Sequence, residues 1–238
     1  MKAMIFSAGL GTRLKPWTDK HPKALAMVNG KSLLQRNVEH LQQSGITDVI
    51  INVHHFGGQI IETVKQNNGW GSRITISDET EALLDTGGGL LKASNFFSGN
   101  EPFVTINADI LTDLDLNKLL AFHLKWKPLI SFGVTNRVTS RNFLFNKEDR
   151  LCGWINTETG EEKIAIASPG LTRKAYSCVA VFQPEIFSLM PFAGKFSLTD
   201  AYLKLAPHHL ILGYDHTGDK WVDVGKPDSI AEASALFP

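Results

Sequence analysis

Cysteine is scarce: Cys152 and Cys178 are the only two, and their spacing fits neither a disulfide framework nor a metal cluster. Neither sign of charge is in excess, since 24 basic residues balance 24 acidic ones. That removes the broad positive field expected of a non-specific nucleic-acid binder or a membrane-surface protein. No apolar run approaches the length of a bilayer-spanning helix, and Met1-Lys2-Ala3 leads into an apolar segment without the pattern of a secretion signal. These absences predict a cytoplasmic globular protein with no nucleic-acid and no membrane partner. Repeats, low-complexity tracts and long linkers are lacking too, so one domain over residues 1–238 is the economical expectation. Also missing is a convincing His-carboxylate or Ser-His arrangement. His54 and His55 are adjacent, and neighbours on a strand point to opposite faces.

What is present is a core's worth of apolar residues, 43% of the chain, arranged in alternating short runs and amphipathic stretches. Residues 2–7 read as a buried strand and 31–44 as a helix, with Leu34, Val38 and Leu41 recurring on one face before Gly45. A strand over 48–53, a helix over 59–66 with Ile60, Ile61 and Val64 inward, and a strand over 73–77 follow. The alternation continues with a helix over 88–97, a strand over 102–106, a helix over 116–126 and a strand over 129–135. It predicts an α/β fold: a Rossmann-like, mostly parallel sheet with helices on both faces. Between residues 142 and 176 the texture changes. Phe143-Leu144-Phe145 and Leu151-Cys152-Gly153-Trp154 flank the polar turn Lys147-Glu148-Asp149-Arg150, which reads as a hairpin in a small β-rich insertion forming a pocket wall. A strand over 176–182, helices over 198–205 and 227–236 and a strand over 209–213 complete the pattern.

The first strand runs into Gly9-Leu10-Gly11-Thr12-Arg13. Two glycines let the backbone turn tightly and bring its N–H groups to an anionic ligand, while Thr12 and Arg13 add a hydroxyl and a cation. A dinucleotide fingerprint needs a third glycine where this chain has Leu14, and Gly30-Lys31-Ser32 lacks the earlier Walker A glycine, Leu25 standing there. Lys31-Ser32 reads more simply as the start of a helix, with Ser32 near the cap. Three adjacent glycines, Gly87 to Gly89, are poor helix formers and imply that something approaches their backbone closely.

The loop continues through Leu14 and Pro16 to Thr18 and Pro22-Lys23, and with this extension it resembles the opening of the sugar-1-phosphate nucleotidylyltransferases. The resemblance recurs at Thr86-Gly87-Gly88, at Ala108-Asp109 and at Trp221-Val222-Asp223-Val224-Gly225, so it spans nearly the whole chain. It implies a nucleotide-diphospho-sugar transferase-like fold and Mg²⁺-dependent transfer of a nucleoside monophosphate from a nucleoside triphosphate to a sugar 1-phosphate, with release of pyrophosphate. It further implies that Arg13 and Lys23 contact the phosphates, and that Asp109 and Asp223 hold Mg²⁺. Ala8, Gly9, Gly11 and Thr12 would wrap the nucleotide, with Thr86, Gly87 and Gly88 touching base and ribose. On the sugar side the resemblance points to Glu162-Lys163 and Ser177, with Ile164 and Cys178 here replacing the usual proline and glycine, and Asp200 is a further candidate that could face the pocket. Asp200 reads equally as a helix cap. Transfer from UTP to an N-acetylated amino-sugar 1-phosphate is the leading substrate expectation. The alternatives are guanylyl transfer to mannose or heptose 1-phosphate and cytidylyl transfer to phosphocholine or a polyol phosphate. A non-catalytic nucleotide-sugar sensor is the alternative outside enzymes. The oligomeric state stays open between monomer and homodimer.

Overall fold

The computed structural model describes residues 1–238. In chain order the first half comprises β1 (Lys2–Phe6), β2 (Met27–Val28), β3 (Lys31–Ser32), α1 (Leu33–Gln43), β4 (Asp48–Val53), α2 (Gly57–Gln66), β5 (Arg73–Asp78), α3 (Asp85–Lys92), β6 (Phe103–Asn107), β7 (Ile110–Thr112) and α4 (Leu116–Trp126). The second comprises β8 (Ile130–Thr135), β9 (Arg141–Phe145), β10 (Leu151–Asn156), β11 (Glu162–Ile164), β12 (Thr172–Phe182), α5 (Ile186–Leu189), α6 (Leu198–Leu205), β13 (Ile211–Asp215), β14 (Trp221–Asp223) and α7 (Pro227–Leu236).

The main sheet runs β11-β10-β9-β12-β6-β1-β4-β5, with β8 joined to β12 and β13 to β8. Strands β6, β1, β4 and β5 are parallel, whereas β12 runs antiparallel to β6, β8 and β9. The sheet is therefore mixed, and the mostly parallel expectation holds for its core strands. In the 142–176 segment, β9, β10 and β11 extend the same sheet through β12. Long β12 spans both regions, pairing with β6 at one end and β9 at the other, so the texture of the sequence changes within one sheet.

Both faces of the core strands are covered, and this explains their near-continuous apolar runs. Along β1, Ala3 and Ile5 join the core under α1, α2 and α4, while Met4 joins the opposite one with Leu90 of α3 and Tyr202 of α6. On α2, Ile60 and Val64 face this core, but Ile61 is 39% exposed; successive helix positions turn about 100° apart, so Ile60 and Ile61 cannot both face inward. α1 begins where the Ser32 hydroxyl accepts the Gln35 N–H and stops before Gly45 at φ +73°. Asp115 caps α4 the same way, accepting from Asn117 and Lys118. His54 and His55 lie in the turn after β4, where His54 Nδ1 is 2.7 Å from the Glu79 carbonyl oxygen. A third, smaller core joins Leu14, Val28, Leu111, Val222, Val224 and Ala233 beneath the two-stranded β7–β14 sheet.

Candidate active site

In register, Phe6 on β1 pairs with Asn52 on β4 and Asn107 on β6, so the carboxyl ends of three parallel strands finish level. Ligands in open α/β sheets bind beyond such ends, and here a cavity of about 430 Å³ opens there. Ala8, Gly9, Gly11, Thr12, Lys23, Thr86 and Asp109, all singled out in the sequence, line it. The Asn52 side chain fixes where the loop departs, accepting the Ser7 N–H at 2.8 Å. Gly11 has φ +62°, and a Cβ there would come within 2.9 Å of Thr18 and 3.0 Å of Lys23. Glycine at this position thus lets the chain turn and lets Lys23 pass close behind it.

Lys23 carries its ammonium to the far side of the loop. Its Nζ is 2.5 Å from Asp109 Oδ2 and 3.5 Å from Asp223 Oδ1, with the Lys23 side chain 11% exposed. Arg13 Nη2 reaches Asp223 Oδ2 at 3.3 Å. The two acids meet because β7 and β14 pair antiparallel with Asp223 opposite Ile110, and because the Val224 N–H donates to the Asp109 carbonyl. Gly225 makes room for this meeting: a Cβ there would lie 2.8 Å from both Arg13 Nη2 and Asp223 Oδ1.

Asp223 Oδ1 is buried without a hydrogen-bond partner and has only the Lys23 ammonium at 3.5 Å, which leaves acceptor capacity for a further cation or donor. A hard divalent cation fits this donor set, two carboxylates converging on one positive charge. No group of three or more His, Cys, Asp or Glu side chains gathers anywhere in the fold, so further coordination would come from phosphate oxygens and water.

The glycines of α3 have a different partner from the one expected. A Cβ on Gly87 would lie 2.2 Å from the Phe196 ring, one on Gly88 2.1 Å from the Gly194 carbonyl oxygen, and one on Gly89 2.7 Å from Glu79 Oε1. The Gly87 and Gly88 N–H groups donate to the Phe196 carbonyl, and Thr86 Oγ1 accepts the Leu198 N–H at 3.0 Å. Close approach to the glycine backbone is real, but protein makes it. Of the Thr86-Gly87-Gly88 segment, only Thr86 lines the cavity.

Lys163 and Asp200 face a second cavity of about 520 Å³. Lys163 Nζ is 3.2 Å from Asp200 Oδ1 and 3.5 Å from Glu161 Oε1, and the Asp200 carboxylate holds this ammonium above its ordinary range. Asp200 does not cap α6; the Ser197 hydroxyl does, accepting from Thr199. Two further expectations are corrected. Glu162 neighbours Lys163 on β11, so it points to the opposite face, and Glu161 is the acid paired with the lysine. Ser177 is fully buried, with Oγ 2.7 Å from His216 Nε2, because the register of β12 breaks at this point.

Sequence reasoning passed over Lys195, which lines both cavities, and Arg137, whose guanidinium lies over the Trp221 ring, 3.5 Å from its centroid. Neither sits in a motif; a loop lysine and an arginine after a strand carry no periodic signal. Cys178 is held at φ +59° in the β12 irregularity. Burial and the neighbouring Asp109 carboxylate push its thiol up to about 12, so it stays protonated at neutral pH.

Residues 2–145 match the nucleotidyl transferase family. The chain is 29% identical over 236 residues to the N-acetylmuramate alpha-1-phosphate uridylyltransferase of Neisseria meningitidis, covering 99% of this chain and 98% of that one. It is 26% identical to the mannose-1-phosphate guanyltransferase of Yarrowia lipolytica, covering 100% of this chain and 64% of that one. Its fold is similar to that of HddC from Yersinia pseudotuberculosis, solved in complex with GMP-PN, at a TM-score of 0.80 and 23% identity, covering 100% of this chain and 99% of that one. The chain belongs to the nucleotidyl transferase family, as its motifs implied, and is a nucleotidyltransferase.

Proposed function

We propose that the protein transfers a nucleoside monophosphate from a nucleoside triphosphate to a sugar 1-phosphate, releasing pyrophosphate and forming a nucleotide sugar. One observation carries this reading. The Lys23 ammonium lies between Asp109 and Asp223 at the edge of the cavity walled by the glycine loop. Cations and metal-ligating acids thus meet where a triphosphate would enter from one side and an acceptor from the other.

In this mechanism a sugar-phosphate oxygen attacks the α-phosphorus in line, and the α–β bridging oxygen leaves with pyrophosphate. The nucleophile is already ionised, so no general base is required. Gly9, Gly11 and Thr12 cradle the triphosphate through backbone N–H groups and a hydroxyl, while Arg13 and Lys23 offset charge as pyrophosphate departs. Asp109 and Asp223 would hold Mg²⁺, which when bound neutralises phosphate charge and aligns the two substrates. Lys163, oriented by its ion pair with Asp200, faces the acceptor and holds its phosphate.

Similarity across almost the full length of the uridylyltransferase supports UTP and an N-acetylated amino-sugar 1-phosphate as the substrates. Guanylyl transfer to mannose 1-phosphate is the second reading, supported by the guanyltransferase relative. A pyrophosphate-release screen of the common nucleoside triphosphates against a panel of sugar 1-phosphates, phosphocholine and polyol phosphates tests both. Turnover with UTP and an N-acetylated amino-sugar 1-phosphate is the expected result; turnover only with GTP and mannose 1-phosphate selects the second reading, and no pyrophosphate from any pair contradicts the reaction.

A further inference from the structure

Three polar groups gathered about Trp221 have no part in the proposed transfer: Arg137, Ser177 and His216. His216 Nε2 is 2.7 Å from Ser177 Oγ, and its Nδ1 is 3.3 Å from Asp219 Oδ2. These are the residue types of a nucleophilic triad, but Ser177 has 0% exposure, so no substrate reaches its hydroxyl. What the pair holds is backbone. The Ser177 carbonyl accepts the indole N–H of Trp221 at 3.0 Å, at the point where β12 breaks register between Tyr176 and Ala180.

Arg137 covers a face of the same indole, 3.5 Å from the ring centroid. It donates only to neutral oxygens: Thr135 Oγ1 at 2.9 Å, the Ala175 carbonyl at 3.4 Å and the Tyr176 carbonyl at 2.5 Å. The indole is thus fastened on its edge by Ser177 and on its face by Arg137, both tied to β12. Trp221 and Asp223 are two residues apart on β14, so their side chains share a face of that strand. The other face of this three-residue strand packs Val222 into the third core, so the face that carries Trp221 and Asp223 is the one fastened through the indole.

We propose that Arg137 and the His216–Ser177 pair are positioning residues which, through the Trp221 indole, orient β14 and so aim the Asp223 carboxylate at the metal and at Lys23. This rests on reading Asp109 and Asp223 as the metal-holding acids of the transfer site. Such outer partners of a metal ligand set its geometry, and their loss costs about 10- to 100-fold in metal affinity or activity.

The test compares wild type with Trp221→Phe, which keeps the ring and loses the N–H, with Arg137→Ala, with Arg137→Lys and with the double variant Trp221→Phe/Arg137→Ala. Mn²⁺ is titrated by its paramagnetic signal in the presence of the α,β-imido analogue of UTP, beside kcat, KM for the triphosphate and the melting midpoint. Each of Trp221→Phe and Arg137→Ala should weaken Mn²⁺ binding and lower kcat about tenfold, with triphosphate KM within about twofold. Arg137→Lys should restore part of the loss, and the double variant should fall short of the product of the singles. Wild-type Mn²⁺ affinity in both single variants overturns the proposal, whatever melting does. So does an effect confined to the acceptor KM, which would make Arg137 a substrate contact, and so does a wild type that binds no Mn²⁺. Because Mn²⁺ binding is read without turnover, a wild type that binds the ion with this geometry yet transfers nothing overturns the reaction and not the positioning role.

Discussion

Lys23 Nζ lies 2.5 Å from Asp109 Oδ2 and 3.5 Å from Asp223 Oδ1, so one ammonium offsets two carboxylates brought together from distant parts of the chain. Where a cation is held in this way, a second and stronger one can compete for the same oxygens. Lys23→Ala is therefore expected to do two things. It should cost at least about 2 kcal/mol of transition-state stabilisation in single-turnover rate. In the absence of nucleotide it should strengthen Mn²⁺ binding, because no ammonium competes. An unchanged rate would remove Lys23 from the site.

Asp109→Asn and Asp223→Asn each remove the charge and keep the shape. Mg²⁺-dependent pyrophosphate release should fall about a hundredfold or more in each, with the melting midpoint close to wild type. Near-normal turnover in both variants would contradict the metal assignment.

Lys163 is half-exposed beside Asp200, and an exposed pair of this kind adds little to stability. Lys163→Ala should therefore leave unfolding nearly unchanged and raise the KM for the sugar phosphate more than that for the triphosphate. Initial-rate kinetics with each substrate varied in turn distinguish this from the reverse pattern, which would make the lysine a donor-side group.

Gly88 tests the contact between α3 and the 191–196 segment. A methyl group there meets the Gly194 carbonyl oxygen at 2.1 Å, and backbone yields less readily than a flexible side chain. Gly88→Ala should destabilise by about 2 kcal/mol in urea unfolding and raise the triphosphate KM through displacement of Thr86. Wild-type stability would show that the two segments part easily.

His123 gives a pH dependence. Its Nδ1 is 2.9 Å from Ser131 Oγ and the Gln183 amide is 2.9 Å from its Nε2, contacts that suit a neutral ring; burial pushes its pKa from 6.5 down to about 4. Below pH 6.5 the unfolded chain takes up a proton that the folded one refuses, so stability is lost as pH falls from 6.5 toward 4. The full loss is on the order of 3 kcal/mol, with about 2 kcal/mol gone by pH 5. In urea unfolding the loss of stability between pH 7.5 and pH 5 should be about 2 kcal/mol smaller in His123→Gln than in wild type; an equal loss in both would contradict it.

Strands buried on both faces and helices with one apolar stripe were legible because period and burial coincide, as in β4, α4, α6 and α7. The β7–β14 pairing was not, since three-residue strands carry no period; Asp109 and Asp223 were found only because their motifs resemble a family pattern. Gly87 to Gly89 announced a close approach, yet a glycine says only that something is near. Phe196 and Gly194 came from a remote part of the chain to fill that role, and Glu79 from the residue just after β5. Arg137 and His216 were invisible for the same reason: their meaning lies in Trp221, which only the fold brings to them.

The most direct measurement uses N-acetylated amino-sugar 1-phosphate carrying ¹⁸O in all its phosphate oxygens, with unlabelled UTP and Mg²⁺, and reads both products by mass spectrometry. Attack by the sugar phosphate on the α-phosphorus should deliver every ¹⁸O to the nucleotide sugar, one of them as the bridging oxygen, and leave pyrophosphate unlabelled. Label in pyrophosphate, or release of orthophosphate in its place, would contradict the account.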